Sequence, residues 1–318
     1  MWAVLLRNGL TLLLALAALL VAPSAGVTGL SATAEAASAA DAVRLTPNYA
    51  RIAGTTIAWA ELGEGRPLLL LNGTGSPMSQ WDPKWLAALA DQRRVIVFDY
   101  PGLGVSGAAP KRITFPRLAN WTAQLLRQLG LSRVDVFGWS MGGFVAQNLV
   151  RRHPELVGRL ILAGTNPGSA KTKLGPRWAQ RIDSDPDAGL RGYLRTNYPL
   201  RVAAQRAGRR AVARINDAIT SGRYPPDTVP ARTYNQMVEA EDPWLRSSRN
   251  CRQLARVEQR TLVITGRKDV VTPPANSRLL TTRLPKAQLR LLADTGHSFL
   301  FQKPDKVAGI VSRFLQSG

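Results

Sequence analysis

Residues 134–144 read VDVFGWSMGGF. Val134, Val136 and Phe137 form a short apolar run of β-branched and aromatic residues, the composition of a buried strand, and from Met141 onward the pattern is helical. Ser140 stands between the two, flanked by Gly138 and Gly142 in a G-x-S-x-G pattern. A strand that turns this abruptly into a helix leaves room for only minimal side chains beside the turn. The serine is therefore expected at the strand's carboxyl end, in a strained conformation, with the amino end of a helix beneath it. Two readings are open at this point: a serine that merely caps the helix, and a serine held out for chemistry.

Working outward, residues 67–71 are wholly apolar, as strands in the two-faced interior of a parallel sheet are. They run into Asn72, Gly73, Thr74 and Gly75. Further strands are predicted at residues 95–98, 160–163, 261–265 and 288–292, and helices at 114–129, 274–284 and 307–315. Trp81, Trp85, Leu86 and Leu89 share helical spacing, which predicts another helix packed on the sheet. The alternation of Ile57, Trp59 and Glu61 after the turn residue Gly54 predicts an opening antiparallel hairpin. Alternating strands and helices demand right-handed crossovers, hence a mostly parallel sheet covered on both faces, with its loops gathered at the carboxyl ends of the strands.

Composition narrows the possibilities. With 318 residues and 45% hydrophobic content the chain can bury a large core. Its single cysteine, Cys251, rules out an intramolecular disulfide and any cysteine-based metal site, and a small, partly buried filler is the role expected of it. The net charge is +21, from 42 Lys+Arg against 21 Asp+Glu. No arginine block is interleaved with aromatics in the way a nucleic-acid surface requires, so nucleic acid is not expected as a partner. Such charge does favour loose association with an anionic cell envelope. Arg7, the apolar run of residues 10–22 and the small residues that follow have the three parts of a secretory signal peptide, predicting export, with an uncleaved anchor as the alternative.

Taken together, G-W-S-M-G, the Asn72–Gly75 loop, DYPGLGVSG at residues 99–107, GRKDVVTPP at 266–274 and DTGHSF at 294–299 resemble an α/β-hydrolase over roughly residues 48–316. The resemblance implies an α/β fold with a mostly parallel central sheet, helices on both faces and an inserted helical cap. It divides the chain into a leader (1–39), a first core part (40–166), a cap (167–257) and a second core part (258–318). It implies Ser140 as nucleophile, Asp269 as triad acid, His297 as base, and the backbone N–H groups of Thr74 and Met141 as the oxyanion hole. Neither a cofactor nor a metal is implied. Asn72 departs from the family's usual histidine, and Asp99 is expected to be structural.

The residues themselves support this assignment. A serine hydroxyl needs a neighbouring base, and the chain has two histidines. His153 lies at a helix end before Pro154, where a cation complements the helix dipole, which leaves His297. Asp294 is too near His297 in one loop, Asp99 precedes the serine, and Thr165 and Asn166 stand where some relatives carry the acid. The order Ser, Asp, His is the family's.

The activity implied is hydrolysis of a small or medium carboxylic ester or lactone, a small-molecule substrate, through an acyl-enzyme. The alternatives are a proline-iminopeptidase-like peptidase, which would need Glu239 or Glu241 to hold a substrate amine, and a cofactor-free haloperoxidase-like or non-catalytic binding protein of the same fold. In the cap, Trp178, Tyr193, Tyr198, Tyr234, Met237 and Trp244 are candidates to face the pocket, with packing inside the cap as their expected role. The cap's excess of positive charge is expected to favour neutral or anionic substrates by steering.

Overall fold

The computed structural model describes residues 39–183, 185 and 187–317. The expected leader, residues 1–39, lies outside them but for its last residue. Eight strands form one sheet in the order β1-β2-β4-β3-β5-β6-β7-β8. They are β1 (Asn48–Ile52), β2 (Thr55–Leu62), β3 (Pro67–Leu71), β4 (Arg94–Phe98), β5 (Val134–Trp139), β6 (Val157–Ala163), β7 (Thr261–Gly266) and β8 (Ala287–Leu292). Only the β1/β2 and β2/β4 pairings are antiparallel; from β4 through β8 every pairing is parallel. β1 and β2 form the expected hairpin, turning at Ala53 and Gly54, both at positive φ.

The wholly apolar strands are buried on both sides, and their side chains alternate between two cores. On β3, Leu69 and Leu71 enter one core, Leu68 and Leu70 the other. The first core is closed by α2 (Phe115–Gln128), α3 (Met141–Arg152) and α9 (Pro274–Arg283); the second by α1 (Pro83–Ala90), α10 (Phe299–Gln302) and α11 (Pro304–Gln316). In the second core Trp81 and Trp85 meet Phe137 edge-on or tilted, at 6.3 and 5.5 Å between ring centroids. Such aromatic pairs add to what burial alone contributes.

One helix start departs from the spacing. Trp81 is buried but precedes α1, because Asp82 caps the helix by accepting the Lys84 N–H at 2.9 Å and Pro83 takes its first position. The terminal helix likewise begins at Pro304 rather than Val307, and α10, which periodicity did not signal, precedes it.

Between β6 and β7 the chain leaves the sheet to form α4 (Arg177–Asp183), α5 (Gly189–Asn197), α6 (Val202–Thr220), α7 (Ala231–Arg246) and α8 (Ser248–Gln253). This inserted cap is fastened to the core by polar ties and by aromatics. Arg214 on α6 grips the buried Asp82 with its Nε at 2.8 Å, Arg151 on α3 binds Asn250 and Gln253, and Trp244 on α7 lies 5.0 Å from Phe144 on α3. Cys251 is buried at the same junction. Among the described residues no helix is long and apolar enough to cross a membrane.

Asp82 thus both caps α1 and neutralises a half-buried arginine. Asp82→Ala removes the acceptor and leaves Arg214 without its partner, a change of the kind that costs about 3–5 kcal/mol. For a chain of this size that corresponds to a melting point lower by roughly 10 °C. A melting curve matching the wild type would show that the cap is not fastened here.

Candidate active site

Ser140 has φ 55° and ψ −124°, an unfavourable conformation for a residue with a side chain. The turn is possible because its neighbours lack side chains. A Cβ on Gly142 would overlap the Leu71 carbonyl oxygen, and one on Gly138 would collide with Gly142 and Ala146 across the strand-to-helix corner. The Ser140 N–H donates to Ala163 O at 2.9 Å, pinning the turn to the end of β6, and Gly143 N–H returns to Ser140 O at 2.9 Å. The serine side chain is half-buried, and its hydroxyl makes no hydrogen bond to the described residues.

Asp269 and His297 arrive on loops at the carboxyl ends of β7 and β8. His297 Nδ1 lies 2.9 Å from Asp269 Oδ2, with both side chains 5% exposed or less. The carboxylate is held on all sides. Its Oδ1 accepts the Val271 and Thr272 N–H groups at 2.9 and 2.8 Å, and its Oδ2 accepts the Thr265 and Thr272 hydroxyls at 3.1 and 2.9 Å. The imidazole is positioned as well: Trp139 Nε1 donates to His297 O at 3.2 Å, its ring lies 5.3 Å from the imidazole, and Gly164 packs against the imidazole edge. Because Trp139 precedes Ser140, and Gly164 follows the residue that accepts the Ser140 N–H, the serine and the Asp–His pair are joined through two adjacent strand ends.

The loop after β3 completes the group. Gly73 packs against Trp139 and the Ser140 Cβ, bringing Thr74 beside the serine. Asn72 shapes the loop, donating from Nδ2 to Pro77 O and accepting the Gly73 N–H, each at 2.9 Å. The N–H groups of Thr74 and Met141 donate to no loop, turn or side-chain acceptor among the described residues. Asp99 stands apart, accepting the Met78 and Val105 N–H groups at 2.7 and 2.9 Å; burial pushes its carboxyl up to about 6, against the opposing pull of those donors. His153 also stands apart. Burial first, then Arg127, lowers its pKa against the pull of Glu155, which works against the helix-end cation expected there; its Nε2 lies 3.0 Å from Asn120 Oδ1.

Several contributors could not be assigned from the motifs. Thr272, three residues after Asp269, braces both members of the pair, with its Oγ1 3.3 Å from His297 Nδ1. From the cap, Asn197 O accepts the Ser298 N–H at 3.1 Å, and Tyr193 OH lies 3.1 Å from Ser298 Oγ, so α5 fixes the histidine loop. On α7, Tyr234, Met237 and Glu241 form one stripe over the Thr74 loop. Tyr234 covers Gly75, Met237 Sδ accepts the Gly75 N–H at 3.5 Å, and Thr74 Oγ1 donates to Glu241 Oε1 at 3.0 Å. That stripe has i, i+3, i+7 spacing, a signal available in the sequence. Trp244 and Tyr198 pack inside the cap and its seam, whereas Trp178 lies beneath the Arg195 guanidinium at 5.3 Å.

Two acidic groups of the cap lie near this group. Desolvation, and secondarily Asp183, raise the Glu241 carboxyl to about 7. Asp183, exposed at the end of α4, lies near enough to feel the charges of His297 and Asp269. Six of the cap's arginines, Arg191, Arg195, Arg201, Arg206, Arg209 and Arg210, are exposed.

Comparison with known proteins agrees with this architecture. A family profile described as alpha/beta hydrolase fold matches residues 66–304. A poly(3-hydroxyalkanoate) depolymerase from Ectopseudomonas oleovorans is 31% identical over 257 residues, covering 79% of this chain and 84% of its own. Among solved structures, an alpha/beta hydrolase fold protein from Chitinophaga pinensis superposes with a TM-score of 0.76 at 21% identity, covering 86% of this chain and 98% of its own. A hydrolase from Pseudomonas aeruginosa PA01 gives 0.67 at 26% identity, covering 86% and 99%. With its sheet order, its inserted cap and a family match across most of its length, the chain belongs to the alpha/beta hydrolase fold family.

Proposed function

We propose that the protein is a serine hydrolase that cleaves small or medium carboxylic esters or lactones through an acyl-enzyme. The buried Asp269–His297 pair at 2.9 Å, set beside the strained Ser140, carries this reading. His297 Nε2 takes the Ser140 proton as Oγ attacks the substrate carbonyl, and Asp269 stabilises the imidazolium that results. The Thr74 and Met141 N–H groups receive the developing oxyanion. The imidazolium then protonates the departing alkoxide, and the carbon–oxygen bond of the ester breaks. Water, deprotonated by the same imidazole, attacks the acyl-enzyme and releases the acid and Ser140. Hydrogen bonds between nucleophile and base often tighten only when substrate is seated, which accords with the free Ser140 hydroxyl. The polyester-cleaving relative supports an ester as the bond attacked.

A second reading is favoured by one observation. Glu239 lies on the exposed face of α7 paired with Arg112 at 3.1 Å, whereas Glu241 faces the Thr74 loop, with Asp183 near it and no basic partner. An acidic cleft suits a substrate bearing an amine, as a peptidase acting on a free amino end would require, and it disfavours anionic substrates.

Activity on a short-chain aryl ester and on an aminoacyl arylamide, measured in parallel, tests both readings. Ser140→Ala and His297→Ala should each lower turnover by several orders of magnitude in folded protein, Asp269→Asn somewhat less, and His153→Ala little. Near-normal turnover by folded His297→Ala would remove the mechanism. An arylamide turned over faster than the ester would install the second reading in place of the first.

Glu241 also gives a pH prediction. Its folded pKa, near 7, lies above the ordinary glutamate value, so the folded state holds more protons than the unfolded chain between about pH 4.5 and 7. Stability contributed by this group is therefore present at low pH and falls as pH rises through that window. Glu241→Gln should match the wild type near pH 5 and melt higher than it at pH 8. Identical melting at both pH values would show that this carboxyl is not desolvated by the cap.

A further inference from the structure

The cap carries a second surface, apart from the residues assigned to catalysis. Leu200 and Val202, in the connection from α5 to α6 and at the start of α6, are 71% and 74% exposed, the highest values among the large hydrophobic residues described. Side chains this apolar and this bare, adjacent on one surface, mark an interaction site rather than the scattered exposure that any surface shows. They line a shallow groove with Gln205, Arg206 and Arg209. Residues 202, 206 and 209 follow i, i+4, i+7 spacing, so Val202, Arg206 and Arg209 share one face of α6, and all three are exposed.

Along the sequence, the charge around the pair has a single sign. From Ala188 to Asn216 the sequence contains seven arginines and no acidic residue. No carboxylate of the described residues pairs with Arg206, Arg209 or Arg210. An adjoining groove adds Arg210, Lys303 and Lys306, with Asp305 among them paired to Lys84 at 2.9 Å. Arg201, between the two aliphatic residues, reaches Asp294 at 3.5 Å, on the loop that carries His297.

We propose that this face docks the protein on an anionic lipid bilayer. Leu200 and Val202 enter the boundary between headgroups and acyl chains, and the surrounding arginines meet acidic headgroups. The combination selects the partner. Arginines alone would suit any polyanion, but a nucleic-acid backbone offers nothing apolar to two bare aliphatic side chains, whereas a bilayer buries them. Because α5 and Arg201 both touch the histidine loop, docking places the catalytic cleft beside the membrane surface. The proposal rests on the surface alone and holds whether or not the chain hydrolyses esters.

The test is sedimentation of the full chain with vesicles of phosphatidylcholine alone and of phosphatidylcholine mixed with phosphatidylglycerol. The readout is the ratio of the two affinities, so that apolar binding by any other segment cancels. Wild-type protein should prefer the anionic vesicles, and the preference should shrink as salt is raised. The double variant Leu200→Ser, Val202→Ser and the triple variant Arg206→Glu, Arg209→Glu, Arg210→Glu should each lose affinity for the anionic vesicles by about tenfold or more. Both should melt normally and turn over a soluble ester as the wild type does. Arg51→Glu with Arg313→Glu, exposed charges on β1 and α11, should change vesicle binding much less. Equal wild-type affinity for the two vesicle types would overturn the proposal, as would wild-type affinity for the anionic vesicles in the serine variant. Tight binding to double-stranded DNA that ignores the serine substitutions, with no vesicle preference, would reassign the face to nucleic acid.

Discussion

Ser140 is held at a positive φ by backbone drawn from separate parts of the sheet, and the arrangement of the site follows from that constraint. Its N–H is tied to the last residue of β6, its helix packs so closely on the end of β3 that position 142 can only be glycine, and Trp139 before it reaches the histidine loop. A strained residue persists only where its surroundings over-determine it. Here the surroundings are the carboxyl ends of parallel strands β3, β5, β6 and β7 with β8 alongside, where loops from distant sequence positions converge. Thr74, Ser140, Asp269 and His297 come together because each lies on the loop or turn after one of these strands.

Charge is partitioned in the same molecule by which way the cap helices face. The chain as a whole is strongly basic, yet the groups turned toward the Ser140 cleft from the cap, Asp183 and Glu241, are acidic. The arginines of α5, and those of α6 other than Arg214, are exposed. The net charge of the chain and the charge of these two groups therefore have opposite signs, and one does not predict the other. The cap couples them mechanically, since α5 is hydrogen-bonded to the histidine loop and α7 to the Thr74 loop.

Much of the core was legible because wholly apolar five-residue runs such as Leu68–Leu71 after Pro67 have few other places to go than the interior of a parallel sheet. The placement of Asp269 beside His297 was legible for a related reason, since each ends a predicted strand. The cap was less so. Glu239 and Glu241 are two residues apart on one helix, and periodicity assigns them different faces without saying which face meets the Thr74 loop; that depends on the docking of α7. The start of α1 was misplaced because the spacing of Trp81 outweighed the local Asp82–Pro83 signature, which fixes where the helix begins. His153 had the context of a dipole-complementing cation, but burial and neighbouring arginines, invisible in one dimension, lower its pKa.

The central claim is that the fold activates Ser140 among all the serines of the chain. Its most direct test is labelling of the native protein with a fluorophosphonate, followed by intact-mass measurement and peptide mapping. One adduct per chain on the peptide bearing Ser140, absent from Ser140→Ala and much slowed in His297→Ala, is the result this account predicts. Absence of any adduct on folded protein, or an adduct that survives Ser140→Ala, would contradict it.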